Sequence, residues 1–149
     1  MRAVVQRVKN ASVSVSGGTV GKLDNGILVY LGIGLKDESE DARYLADKIS
    51  GLRIFEDENG KMNKCATDLG YGALVVSQFT LYADARKGKR PSFSEAASPE
   101  KANALYLDFL ERMKKEIHNV QTGIFQTAME VSYTNCGPVT ILVDSKKEF

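Results

Sequence analysis

Asp24-Asn25-Gly26-Ile27-Leu28-Val29-Tyr30-Leu31-Gly32-Ile33 is the stretch whose reading decides the fold. Asp-Asn-Gly is a strong hairpin signal, because these residues tolerate the positive φ angles that tight β-turns require. From Ile27 to Ile33 the chain is almost wholly apolar, the pattern of a strand covered on both faces. Ala73 to Phe79 makes a second such run. Strands covered on both sides need other layers, and two segments can supply helices. Asp37 to Ser39 can cap a helix with an inner stripe of Ala42, Leu45, Ala46, Ile49 and Leu52. Ser98-Pro99 starts another, Ser as cap and Pro in the first turn, burying Ala102, Leu105, Tyr106, Phe109, Leu110 and Met113. The expected class is α/β, a single domain over residues 1–149 with packed, largely antiparallel or mixed β-sheets and two long helices on one outer face.

Working outward, Val4 to Val8 and Ser12 to Ser16 read as two strands, with Gly17-Gly18 as a turn and a continuation from Thr19 to Lys22. Arg53-Ile54-Phe55 reads as a short strand into the polar turn Asp57-Glu58-Asn59-Gly60. Met129, Val131 and Tyr133 alternate as in a half-exposed strand, and Val139 to Val143 is the last strand before a polar tail. No repeat, linker or low-complexity stretch interrupts this order.

The chain has 149 residues, enough for a core that buries about two-thirds of the unfolded surface. With 43% apolar and 26% charged residues it has ordinary globular composition, and a formal charge of +1 neither demands nor excludes a polyanionic partner. Two cysteines, Cys65 and Cys136, are too few for a disulfide framework, and His118 is the one histidine. No metal or cofactor is expected. No apolar run approaches the roughly 18 residues that span a bilayer, so a reduced, cytoplasmic setting is expected.

Two short segments carry the candidate chemistry. Ser77-Gln78-Phe79-Thr80-Leu81 sets two hydroxyls and a carboxamide where a core strand meets a loop. Asn135-Cys136-Gly137-Pro138-Val139-Thr140 inserts Gly-Pro between strand-like flanks. Glycine tolerates backbone angles closed to other residues, and proline is the residue before which a cis peptide costs little. A rigid backbone corner beside a strand-end polar cluster suggests a pocket that judges shape with main-chain atoms. A Ser-His-Asp triad is not supported, since His118 falls late in a charged helical segment. Thr80 can position a substrate or simply close the strand's last bonds. Arg86-Lys87-Gly88-Lys89-Arg90, four cations in five residues, can grip phosphates or be a solvated loop. Gly32 and Gly34 do not open a helix and so do not make a dinucleotide fingerprint. They are expected to allow close strand packing. Asp57 to Gly60 lacks the remaining ligands of a calcium loop and is read as a turn.

Taken together, the segments resemble the D-aminoacyl-tRNA deacylase family in its bacterial and general eukaryotic form. The likeness runs through Gln6-Arg7-Val8, Ala11-Ser12-Val13, Arg53-Ile54-Phe55, Gly60-Lys61-Met62-Asn63 and Ser77 to Leu81. It continues in Arg90-Pro91-Ser92-Phe93-Ser94, Ala97-Ser98-Pro99, Gln121-Thr122-Gly123-Ile124-Phe125 and Asn135 to Thr140. The resemblance implies a barrel-like homodimer that hydrolyses the ester between a D-amino acid and the 3′-terminal adenosine of tRNA. It implies that Gly137 and Pro138 form a cis corner reaching into the other protomer's pocket. Ser77, Gln78 and Thr80 would orient the ester beside the main-chain N–H groups of Phe79 and Thr80. Phe79, Phe125 and Met129 would contact the aminoacyl group and adenosine, and Arg86, Lys87, Lys89 and Arg90 would hold tRNA. The resemblance further implies catalysis assisted by the tRNA 2′-OH, with no protein side chain as general base. Cys136 stands where an acidic residue is common in the family, and Gln126-Thr127-Ala128 is an unusual version of its segment.

The expected consequence is a filter for handedness. A stiff wall with room only for hydrogen at the L side-chain position rejects every L residue and admits D residues and glycine. Two other functions fit the same residues: an acyl hydrolase with Ser77 or Thr80 as nucleophile, and a non-catalytic tRNA-binding dimer.

Overall fold

The computed structural model describes residues Met1–Phe149. Its frame is one long hairpin, β1 (Arg2–Val15) and β2 (Gly18–Gly32), closed by a turn at Ser16-Gly17. Helix α1 (Ser39–Ser50) follows, then the small hairpin β3 (Phe55–Glu56) and β4 (Met62–Lys64), and the buried strand β5 (Gly72–Ser77). Helix α2 (Pro99–Glu116), the short β6 (Val120–Thr122) and the long β7 (Glu130–Asp144) complete the order. The main sheet runs β6-β5-β2-β1-β7. β1 is antiparallel to β2 and β7, whereas β2–β5 and β5–β6 are parallel, so the α/β, mixed-sheet class is as expected.

The two apolar runs do sit at the centre, with faces alternating residue by residue. Val29 and Leu31 of β2 and Ala73 and Val75 of β5 face the core shared with α1 and α2. Leu28, Leu74 and Val76 point the other way, into a smaller core with Val8, Ala11, Val13 and Leu23. Helix α1 buries Ala42, Leu45, Ala46 and Ile49, and α2 buries Leu105, Tyr106, Phe109, Leu110 and Met113, with Leu52 and Ala102 packed at the margin. Both starts are capped as their residues suggest. Glu38 and Asp41 close a capping box on α1, and the Ser98 hydroxyl accepts from the Lys101 N–H at 3.4 Å on α2.

Four expectations change. Asp24-Asn25-Gly26 is not a hairpin but lies within β2, where Lys9 pairs with Asn25 and Val8 with Gly26. The glycine is needed for contact rather than reversal, since a Cβ there would lie 1.9 Å from the Gly72 carbonyl oxygen. Val4–Val8 and Ser12–Val15 form one strand, with Ser16 already in the turn, because irregularities in its pairing with β7 absorb the break and Asn10 takes φ +51°. Only Phe55 of Arg53-Ile54-Phe55 is in a strand. Met129 lies just outside β7, which instead runs unbroken through Gly137-Pro138. The first half of β2 also comes close to β6, where a Cβ on Gly21 would lie 2.7 Å from the Thr122 carbonyl oxygen. The hydrogen-bonded order still ends at β6 and β7. No helix is long and apolar enough to cross a membrane.

Candidate active site

The site begins where β5 runs out. The Gln78 N–H donates to the Leu31 carbonyl at 2.8 Å, a last rung between β5 and β2, and the chain then tightens into a 3-10 turn at Phe79–Tyr82. Glycines at the end of β2 make room for that turn. A Cβ on Gly32 would stand 2.9 Å from Leu81 Cβ and 3.0 Å from the Gln78 carbonyl oxygen, and one on Gly34 would stand 2.5 Å from Tyr82 Cε1. Gly32 and Gly34 thus serve close approach of the turn to β2, rather than of one strand to another. Tyr82 fastens the far end. Its hydroxyl donates to Asp37 Oδ2 at 3.0 Å, and the Arg2 guanidinium lies 4.7 Å from its ring centroid. Burial, reinforced by the Asp37 charge, pushes the Tyr82 hydroxyl far above its ordinary pKa and keeps it a donor.

Ser77, Gln78 and Phe79 line a cavity of about 540 Å³ together with Phe125 and Met129. Leu31, Ile33 and Val76 line it from the sheet, and Ala97, Pro99 and Ala102 from the start of α2. Phe79 stands at the rim, 58% exposed, and meets Phe93 edge-on with ring centroids 5.0 Å apart. Phe125 is backed by Tyr106, centroids 5.9 Å apart, whose hydroxyl donates to the Val75 carbonyl at 2.9 Å. Burial raises the Tyr106 hydroxyl pKa, so this brace also stays protonated. Thr80 does not line the cavity. It borders an adjoining groove with Val4, Tyr30, Leu81 and Val131, and Gln78, which lines both, donates from Nε2 to Thr80 Oγ1. Tyr30 is likewise held protonated, by burial first and then by its hydrogen bond with Tyr133.

Gly137 and Pro138 lie elsewhere. Their peptide is cis, both residues are exposed, and neither lines the cavity of their own chain. The corner is braced from two sides. Arg7 donates from Nε to the Cys136 carbonyl at 3.2 Å and from Nη1 to the Ile54 carbonyl at 2.9 Å. Asn135 Oδ1 accepts from the Val139 N–H, and its Nδ2 donates to Thr140 Oγ1, each at 3.2 Å. Asn135 therefore bonds back onto the local chain, as its place in the sequence suggests.

The basic loop is also separate from the cavity. Arg86 is occupied by Asp84, with contacts of 2.9 and 2.7 Å, and this guanidinium holds the Asp84 carboxyl well below its ordinary pKa. Lys87, Lys89 and Arg90 are exposed and make no ion pair. Asp84 and Ser92 exchange two backbone bonds of 2.8 and 2.9 Å that close the loop, and Phe93 then ties it to Phe79 at the cavity rim. His118 is exposed beyond α2 and does not line the cavity, and no three His, Cys, Asp or Glu side chains gather as a metal site. Cys65 and Cys136 are unpaired thiols.

The model of the D-Tyr-tRNA(Tyr) deacylase family matches residues 4–144. The chain belongs to that family. Within it, the D-aminoacyl-tRNA deacylases of Thermosipho africanus and Clostridium novyi are 58% and 56% identical to this chain over 149 residues, with all of each chain covered. Among solved structures, the c-Myc DNA unwinding element binding protein superposes with a TM-score of 0.91 at 42% identity, covering 97% of this chain and 98% of its own. A probable eukaryotic D-amino acid tRNA deacylase shares the fold alone, at 16% identity and a TM-score of 0.81 over 95% of this chain and 97% of its own. The deacylase family is a family of hydrolases, and the cavity described above holds no nucleophile paired with a base. What the residues had not disclosed is the apolar half of the cavity. Leu31, Ile33, Ala97, Pro99 and Ala102 read from sequence as core or helix start, and only packing turns them toward a shared space.

Proposed function

We propose that this protein hydrolyses the ester of D-aminoacyl-tRNA in the cytoplasm as a homodimer, releasing free D-amino acid and tRNA. The observation that carries the reading is the cavity bounded by the Ser77–Phe79 strand end, with no histidine or carboxylate against its hydroxyls. An aminoacyl ester is an activated acyl group beside the ribose 2′-OH, so orientation does much of the work. Water adds to the ester carbonyl, the 2′-OH relays its proton, the bond from acyl carbon to the ribose 3′-oxygen breaks, and that oxygen leaves protonated. A 3-10 turn leaves its first N–H groups without partners inside the turn. Those of Phe79 and Thr80 are the donors for the developing oxyanion, worth several kcal/mol once the bound substrate excludes water.

In this reading Ser77, Gln78 and Thr80 orient the ester, and Phe79, Phe125 and Met129 enclose the aminoacyl-adenosine. The apolar, open cavity suits a purine and acyl group. Gly137 and Pro138 come from the partner to stand over the Thr80 groove, and the braces from Arg7 and Asn135 support a stiff corner there. Such a wall excludes side chains of L-configuration and passes glycine, so glycyl-tRNA is a further substrate. Lys87, Lys89 and Arg90 supply free cations for the acceptor stem of tRNA. The hydroxyl of Thr80 is engaged by Gln78 and faces no base, which disfavours the acyl-enzyme alternative.

The test is a single deacylation assay on matched D- and L-aminoacyl-tRNA. Release of the D ester alone is expected. Equal release of both defeats the handedness filter, and tRNA binding without turnover leaves a binding protein instead.

A further inference from the structure

We infer that Gly123 is a positioning residue for the cavity, because it gives the Met129 side chain a place to lie outside the space that receives substrate. Gly123 closes β6, its N–H donating to the Val75 carbonyl at 3.2 Å. A Cβ on it would meet Met129 Sδ at 2.4 Å and Met129 Cε at 3.7 Å. The backbone of Gly123 is not in the positive-φ region, so the glycine is required by space and not by conformation. Thr127 Oγ1 donates to the Ile124 carbonyl at 2.9 Å and Gln126 takes φ +61°, so the intervening loop doubles back and lays Met129 over Gly123. Val13, fully buried, lies 3.5 Å from the same Cβ position and leaves little room on that side. Met129 is half-buried and lines the cavity, so a displaced thioether moves at the cavity wall.

This inference rests on the proposed function for its substrate, and on geometry alone for the displacement. In that reading Phe125 and Met129 line the same cavity as Ser77–Phe79, and Met129 bounds space taken by the aminoacyl-adenosine. A polarizable thioether lying flat against a purine is a favourable contact, and one pushed into the purine's space is not. Narrowing should therefore weaken binding for every aminoacyl-tRNA alike and leave the chemical step intact.

The experiment compares wild type, Gly123→Ala, Met129→Ala and the double variant, using D-tyrosyl and D-alanyl esters on one tRNA. Gly123→Ala should raise KM about tenfold for both esters with kcat nearly unchanged, the mark of lost binding shared by ground and transition states. The double variant should return to the KM of Met129→Ala alone, because the side chain that collides has gone. An unchanged KM, a loss confined to kcat, a loss that follows amino-acid size, or no rescue overturns the inference. If Gly123→Ala does not fold, the double variant must fold, as read by thermal unfolding, and its failure also overturns it. Calorimetric titration with free adenosine adds a readout independent of turnover. There Gly123→Ala should weaken binding and the double variant should restore it, and equal binding by all four proteins counts against the inference. A wild type that cleaves neither ester defeats the proposed function, and the adenosine titration then still decides the role of Gly123.

Discussion

The corners at Ser77–Tyr82 and Asn135–Thr140 are alike in sequence and opposite in setting. Each joins apolar strand residues to a polar, backbone-defined bend. The first opens onto a cavity of about 540 Å³ in its own chain, whereas the second is exposed and borders no part of that cavity. The first is shaped by glycines on a neighbouring strand and fastened by Tyr82 to Asp37. The second is held from behind by Arg7 and Asn135, leaving its outer side free. One corner has a space and lacks a lid, and the other has a rigid edge and lacks a space. That complementarity is what a second copy of the chain would bring together.

The strongest way to break the comparison is to remove the substrate's own hydroxyl. If the Ser77–Thr80 corner only orients the ester, a 2′-deoxy terminal adenosine should slow single-turnover cleavage about 10³-fold or more, since a positioned neighbouring group contributes large effective molarities. Cleavage of the deoxy substrate at the ordinary rate would assign the chemistry to the protein. Thr80→Ala should cost less, at most about 10²-fold, the usual consequence of losing one positioned hydrogen-bonding group. A fall to the uncatalysed rate would make Thr80 a nucleophile.

The second corner is tested by Gly137→Ala. Gly137 has φ +113°, and a Cβ there would lie 2.8 Å from Arg7 Nη2 and 2.9 Å from Val139 Cγ2. If this backbone edge is what excludes L residues, displacing it should lower the D-over-L rate ratio by about tenfold, the equivalent of 1.4 kcal/mol. Thermal unfolding of the same samples separates that effect from simple loss of fold. An unchanged ratio in a folded variant would leave the corner as nothing more than a kink in β7. The smallest effect is expected at the basic loop. Neutralising Lys87, Lys89 and Arg90 together should reduce the slope of log affinity for tRNA against log salt by about 3, roughly 0.9 per counterion released from a duplex stem. Neutralising Arg86 should do little, because Asp84 already occupies it.

The apolar runs at Ile27–Ile33 and Ala73–Phe79 and the capped starts of α1 and α2 were legible because they are local. Burial on both faces and unpaired helix N–H groups act over a few residues. Asp24-Asn25-Gly26 misled for the opposite reason. Its turn chemistry was overridden by Gly72, a residue 46 positions away that needs the missing side chain at Gly26. The polar half of the candidate site, Ser77 to Thr80, was visible as a strand end. Its apolar half was not, since Ile33, Ala97 and Ala102 differ from core residues only in facing a space that α2 does not fill.

The amino-acid order alone thus determined the class of fold, the two helices, the buried central strands and the family to which the chain belongs. Those follow from periodicity, capping and motif order, each carried by neighbouring residues. Only the folded chain decided that the hairpin is continuous, that Thr80 and Phe79 face different spaces, and that the Gly137-Pro138 corner stands apart from the cavity. These are relations between surfaces distant in sequence, and close packing, rather than local preference, sets them.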